Sequence, residues 1–282
     1  MSLILPPWYF TDETDNITAA VGTSFTCNAN SADGTAVRLI PASGGLTHDA
    51  HLLVVRFHPD ASNFGYNPIC LVDILTDPAG GTSWGSIIDD LLIAAAGPGD
   101  SPDQAYQRGF IFPIWIPSGS SIGVRGRAHH TSSQAVRCHI WAFGNPSRPE
   151  LWWCGTKVET LGTTASPAAG TAVTPGYSPS WGSWTSIGSV TTGTYGWIQL
   201  GHGGENTTTQ SNQNMFCEIG AGSQKLPGTG RYWIGHNTSE QSKVDHTFPS
   251  WCNIPEGTQM QARIMSGTAS PAAVNLALYG VY

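Results

Sequence analysis

Phe112-Pro113-Ile114-Trp115-Ile116-Pro117-Ser118-Gly119, followed by Arg125, returns later in the chain as Phe248-Pro249-Ser250-Trp251 and Ile254-Pro255-Glu256-Gly257, followed by Arg263. In both stretches the arginine lies eight residues beyond the second proline, and the only difference in length is two residues inserted after the second tryptophan. The match extends outward. Gly22 through Ile40 lies without gaps on Gly170 through Gly188, with Thr26 on Thr174 and Leu39 on Ile187. Ile140-Trp141-Ala142-Phe143-Gly144 closes the first copy as Leu276-Ala277-Leu278-Tyr279-Gly280 closes the second. An offset of about 140 residues is too long for a solenoid unit and is the size of a domain. The chain reads as an internal duplication, with a first domain over 1–146 and a diverged copy over 147–282.

Composition narrows the class. Of the 282 residues only 11% are Asp, Glu, Lys or Arg, while Gly (34) and Pro (19) are both abundant. A hydrophobic share of 40%, with 11 Trp, supplies a core for each half. Short strands joined by polar, Gly/Pro-punctuated loops fit this balance. A net charge of −7 and a pI near 5.6 provide no basic stripe for nucleic acid. No apolar run approaches the ~20 residues of a membrane-spanning helix. Met1-Ser2-Leu3-Ile4-Leu5-Pro6-Pro7 lacks the basic start and long apolar run of a signal peptide.

Period-two alternation marks the strands. His51–His58 pairs with Tyr195–Leu200 as equivalents, and Ile69–Ile74 with Met215–Ile219. Next come Ile111–Ile116, Ser121–His129 and Val136–Phe143, with counterparts Thr247–Asn253, Gln259–Met265 and Val274–Tyr282. Pro117 removes a strand donor and Ser118-Gly119 supply a turn, so the chain reverses into the strand bearing Arg125. One stretch has helical spacing: in Trp84–Ala96, Ile88, Leu91, Leu92 and Ala95 fall on one helix face and Gly97-Pro98 would end it. The expectation is an all-β protein of two tandem β-sandwich, jelly-roll-like domains, with one short helix in the first. Gly144-Asn145-Pro146-Ser147-Arg148-Pro149 reads as a semi-rigid linker between them.

No catalytic motif emerges. There is no nucleophile elbow, phosphate loop or dinucleotide fingerprint. The acids available for paired-carboxylate chemistry are Asp73, Asp77, Asp89 and Asp90 in the first copy and Glu205, Glu218 and Asp245 in the second, and no pair is singled out by spacing. His58 and His202 read as equivalent, each heading a polar loop with an acid two or three residues on. Cys27, Cys70, Cys138, Cys154, Cys217 and Cys252 form no Cys-x-x-Cys pair and do not match between copies. Buried free thiols and late-acquired disulfides both remain open. No metal, cofactor or catalytic residue is expected. Trp115 and Trp251 read as packing residues. Trp8, Trp181 and Trp184 lie in polar, Pro-rich settings and, with Asp77, His58 and His202, are the candidate interaction surface.

Gly65 through Leu92, containing Asp77-Pro78-Ala79-Gly80-Gly81-Thr82-Ser83 and Asp90-Leu91-Leu92, resembles a pattern found in structural proteins of tailed bacteriophages. Phe112 through Arg125 is similar to the next segment of that pattern, and the likeness covers most of 20–144 and, more weakly, 165–282. The second copy lacks the Asp77–Ser83 segment. The resemblance implies a non-enzymatic virion component: a capsid decoration protein, a head or collar fibre, or a tail accessory protein. Its implied partners are major capsid, collar or tail proteins and further copies of the chain as a homo-oligomer, with no nucleic acid or membrane. The alternative is a carbohydrate-binding module that holds host-surface glycan.

Overall fold

The computed structural model describes residues 9–13, 22–59, 69–94, 108–129, 131–144, 154–167, 169–205, 213–222, 224–226, 232–236, 250–267 and 272–282. The first half supplies β1 (Tyr9–Glu13), β2 (Thr23–Asn28), β3 (Val37–Ile40), β4 (Leu52–Pro59), β5 (Ile69–Asp77), β6 (Gly85–Ala94), β7 (Arg108–Phe112), β8 (Ser121–Ala128) and β9 (Gln134–Gly144). The second supplies β10 (Val158–Leu161), β11 (Thr171–Val173), β12 (Gly176–Tyr177), β13 (Thr185–Val190), β14 (Tyr195–Glu205), β15 (Gln213–Ala221), β16 (Gln224–Lys225), β17 (Tyr232–His236), β18 (Ser250–Ile254), β19 (Gln259–Ser266) and β20 (Val274–Val281). The protein is all-β, built of sandwiched sheets.

The nine strands of the first half form one sheet, β6-β5-β8-β2-β9-β4-β7, with β3 beside β8 and β1 beside β9. It curls around β2, which runs antiparallel to β9 and parallel to β8. In the second half the same junction is cut. β11 pairs antiparallel with β20 and β12 pairs parallel with β19, and Thr174-Pro175 lies between them. Two sheets result, β10-β20-β14-β18 and β12-β19-β15-β16, whose facing sides share Leu161, Ile187, Leu200, Met215, Ile264 and Leu278. A proline has no N–H for the ladder, so one continuous strand becomes two short ones.

The gapless match of Gly22–Ile40 to Gly170–Gly188 reappears in the pairing. Val37 faces Val124 as Thr185 faces Ala262, and Asn28 faces Arg127 as Gly176 faces Met265. Gly119 and Gly257, with φ of 84° and 77°, turn the chain at equivalent points after the two prolines. That left-handed backbone suits glycine.

The stretch read as helical is instead the strand β6, at the edge of the first sheet. Val72 pairs with Leu91 and Ile74 with Ile88, so two steps along β5 match three along β6. The extra residue falls at Asp90, whose φ is 57°, a left-handed conformation that Asp tolerates better than most residues. Ile88, Leu91, Leu92 and Ile93 are all buried, because β6 packs against the second half as well as its own core. A bulge inside a strand covered on both faces produces the three-and-four spacing of a helix without being one.

The two halves share one core. Val158, Ala277, Tyr279 and Val281 belong to the same buried cluster as Leu92, Phe110, Phe112 and Ile114. Tyr279 stands edge-on to Phe110 (5.6 Å, 90°) and Phe112 (6.0 Å, 86°). Its hydroxyl accepts from Leu92 N at 2.6 Å and donates to Asp90 O at 3.3 Å. Gln199 Oε1 accepts from Ile111 N at 3.1 Å, capping a backbone donor of edge strand β7. Burial of an aromatic side chain of this size contributes about 1.5–3 kcal/mol.

Replacing Tyr279 by Phe keeps the ring packing and removes both hydroxyl bonds, leaving the Leu92 donor buried and unmatched. The expected loss is about 1–3 kcal/mol of unfolding free energy. Urea denaturation of the two proteins checks it, with a single transition expected for both.

Candidate functional site

The repeated arginine proves to be half of a repeated ion pair. Asp73 on β5 lies directly opposite Arg125 on β8, and Glu218 on β15 directly opposite Arg263 on β19. Arg125 Nε donates to Asp73 Oδ2 at 2.8 Å; Arg263 donates to Glu218 Oε2 through Nε at 3.0 Å and an Nη at 2.7 Å. Both carboxylates are buried, so each needs a cation and hydrogen bonds to remain charged.

The two pairs have different surroundings. In the first half Arg127 bonds both Asp90 and Asp33, and Asp33 lies 3.5 Å from Arg125. Asp73 Oδ1 accepts from Asp90 N at 2.9 Å, and Asp90 Oδ2 accepts from Thr163 Oγ1 of the second half at 3.1 Å. The bulge that the sequence hid is thereby tied into the joint between the halves. In the second half Lys225 Nζ reaches Glu218 Oε1 at 3.0 Å, and Arg263 lies 4.9 Å from the Trp181 ring and 4.5 Å from the Trp184 ring. Burial raises the Glu218 pKa, but the bonds from Arg263 and Lys225 outweigh it and hold the group below its ordinary value.

Of the expected interaction surface, all but Trp8 fall among the described residues. Trp181 and Trp184 are half-buried and clamp Arg263. Asp77 is buried at the start of its glycine-rich loop, where it accepts from Ala79 N (2.9 Å) and Ser83 N (2.7 Å). Those donors hold its carboxyl below the usual range. His202 is buried on β14. It faces Leu276, while His58 faces Arg137. With Leu276 on Ile140 in the closing-segment alignment, the counterpart of His202 is Val55, which faces Ile140. The two histidines are therefore not equivalent; a shift of three residues along the strand separates them. Trp8 lies outside the described residues, as do Asp245 and the linker residues beyond Gly144.

The fold brings together the Asp77–Ser83 and Phe112–Arg125 stretches. Arg38 donates to Gly44 O at 2.9 Å, to Gly80 O at 2.7 Å and to Gly81 O. Ser121 Oγ donates to Gly81 O at 2.8 Å. A Cβ on Gly45 would stand 1.8 Å from Gly119 O, so only glycine allows the 41–45 loop to reach the Pro117–Ser120 turn.

Sequence reasoning placed Trp115 and Trp251 in the packing, and the structure reverses this: they are 41% and 58% exposed. Trp251 is on the edge strand β18, where Trp251 and Asn253 point outward and Ile254 inward. An edge strand has one neighbour and a less complete cover, which the shared Phe-Pro-x-Trp pattern could not disclose. The strict alternation between Trp251, Asn253 and buried Ile254 was the available signal.

All six cysteines are free thiols, with Cys27, Cys70, Cys138 and Cys217 buried. Burial pushes Cys217 up to about 12 and Cys252 up to about 11, so neither is a thiolate at neutral pH. Among the described residues no group of three or more His, Cys, Asp or Glu is placed to hold a metal ion.

No family model matches the chain, and no curated protein does. Among solved structures it is similar to PNGase F, a glycosylasparaginase from Flavobacterium meningosepticum, at 7% identity and a TM-score of 0.36, covering 92% of this chain and 96% of that one. It is similar to the PBSX exported protein XepA at 11% identity and a TM-score of 0.25, covering 93% and 85%. Tandem CBM51 modules of the family 98 glycoside hydrolase from Streptococcus pneumoniae SP3-BS71 follow at 11% identity and a TM-score of 0.21, covering 91% and 83%. Likenesses this slight carry no argument about activity.

Asp49, Asp77 and Glu218 all bind protons less readily in the folded chain than is ordinary for their type. Their stabilisation is complete above the usual carboxylate range, about pH 4, and is lost as pH falls through the lowered folded values. Glu218→Gln should cost about 2 kcal/mol at pH 7. The gap from the parent protein should close as the pH falls below about 4. Denaturant titration across that range reads both effects.

Proposed function

We propose that this protein is a non-enzymatic structural component of a bacteriophage virion, acting as a rigid double sandwich through protein–protein contacts. The observation that carries the reading is the state of four of the seven acids available for chemistry. Asp73 and Glu218 are held by arginines, Asp90 by Arg127 and Thr163, and Asp77 by backbone N–H groups. These groups hold strands, loops and the joint together, which is what a scaffold asks of buried charge.

Two further features support it. The joint between the halves is packed with aromatic side chains, which suits a part that must keep its shape under load at a particle surface. The stretches that resemble phage structural proteins, Asp77–Ser83 and Phe112–Arg125, meet in one loop cluster clasped by Arg38. Decoration protein, fibre and tail accessory protein are all compatible with such a module, and multivalent display would supply avidity from weak contacts.

Quantitative mass spectrometry of washed, purified particles tests the assignment. The expected result is roughly six or more copies per particle, in a ratio to the major capsid protein set by particle symmetry. Absence from the particles contradicts it.

A further inference from the structure

We infer that the rim of the joint carrying Trp115, Trp197 and Trp251 is a binding face for a saccharide chain, with the two exposed indoles as stacking platforms. This is independent of where in a particle the protein resides.

The first observation is the retention of an exposed residue. The two copies have diverged at most positions, yet both keep tryptophan at the same place in the Phe-Pro-x-Trp pattern. Neither indole is in a core. Burial therefore does not account for the shared tryptophan, and large exposed aromatics are characteristic of binding surfaces.

The second is that both indoles are held in place. Trp115 Nε1 donates to Asp49 Oδ2 at 3.2 Å, and Asp49 Oδ1 accepts from Ser118 N at 2.7 Å. The Ser118 backbone bond, foremost, keeps the Asp49 carboxyl below its ordinary value despite partial burial. Trp251 stands edge-on to Trp197, with centroids 5.1 Å apart at 89°. A pre-oriented ring loses little entropy on binding.

The third is their nearness across the joint. Trp115 N donates to Gly155 O at 2.8 Å, and Thr156 N donates to Tyr282 O at 2.8 Å. Val281 pairs with Trp197, and Trp197 pairs with Trp251. Four cross-strand steps of roughly 5 Å and two along-chain steps of about 3.8 Å make a backbone path of at most about 28 Å between the two tryptophans. Trp197 packs on the shared core, on the side of its sheet that meets the first half, and Trp251, directly opposite it, shares that side. Trp115 is thus bonded through its backbone to Gly155 of the second half, and Trp251 stands beside Trp197, which packs on the shared core.

The chemistry of the surroundings selects the occupant. A protein interface has a continuous apolar centre poor in charge. Here the indoles are interrupted by Asp49, Ser118, Asn253 and by Lys157, which sits 5.6 Å from the Tyr282 ring. Separate flat aromatic faces set among hydroxyl, amide and charged groups match a pyranose, which has an apolar C–H face and a hydroxyl rim.

Isothermal titration of the full chain with cellohexaose, maltohexaose and chitohexaose tests the inference. At least one should bind saturably at sub-millimolar concentration. Trp115→Ala and Trp251→Ala should each weaken it about tenfold or more. Trp115→Phe and Trp251→Phe keep a stacking ring and should recover most of the affinity, which separates loss of stacking from misfolding. Phe216→Ala, on the outer sheet of the second half, should bind like the parent. Failure of all three saccharides to bind overturns the proposal, as does binding that the alanine variants leave unchanged or that Phe216→Ala abolishes equally. Particle copy number is untouched by any of these results.

Discussion

All eight residues of β20, Val274 through Val281, are buried. A strand in a two-layer sandwich buries alternate residues; one that buries every residue must be covered on both faces. Leu276 and Leu278 face the second half's own core, while Ala277, Tyr279 and Val281 face the first half. The rest of the architecture depends on this strand. It makes one sheet the middle layer of the molecule and joins two copies of a fold into one body.

The covering element on the first-half side is β6, and its bulge gives the joint its specificity. A bulge leaves backbone groups that the neighbouring strand cannot satisfy. Tyr279 takes two of them, Leu92 N and Asp90 O, while Thr163 engages the Asp90 side chain. An irregularity that would be a liability on an exposed edge is thereby matched by side chains of the other copy. In the second copy the strand beside β15 is split into β16 and β17, which pair antiparallel with it as β6 pairs with β5. There Arg263 is covered by Trp181 and Trp184 in place of another domain.

Much of this was legible in the sequence, for physical reasons. Alternation identified the strands around Val136 and Gln259, where buried and half-buried residues take turns, because a strand facing one core has period two. The gapless match of Gly22–Ile40 to Gly170–Gly188 survives in the register, where Val37 faces Val124 as Thr185 faces Ala262. The spacing of Arg125 and Arg263 from their prolines was visible, but their partners were not. Cross-strand neighbours are distant in sequence, and nothing in Asp73 or Glu218 alone names the opposite residue. The failures share one cause. Trp84–Ala96 looked helical, and Trp115 and Trp251 looked buried, because local pattern does not say whether a strand lies inside the molecule or at its edge. Trp181 and Trp184 stack on Arg263 from β19, a neighbour that their polar sequence setting does not name.

The central claim is that the middle sheet couples both copies into one cooperative unit. Native-state hydrogen exchange measures this most directly, by comparing the amide of Leu92 on β6 with those of Leu276 and Leu278 on β20 as denaturant is raised. The account predicts that all three exchange only through a common global opening, with the same free energy and the same denaturant dependence. Leu92 opening at a distinctly lower free energy, with a smaller denaturant slope, while β20 stays protected would show two halves that unfold apart and would contradict it.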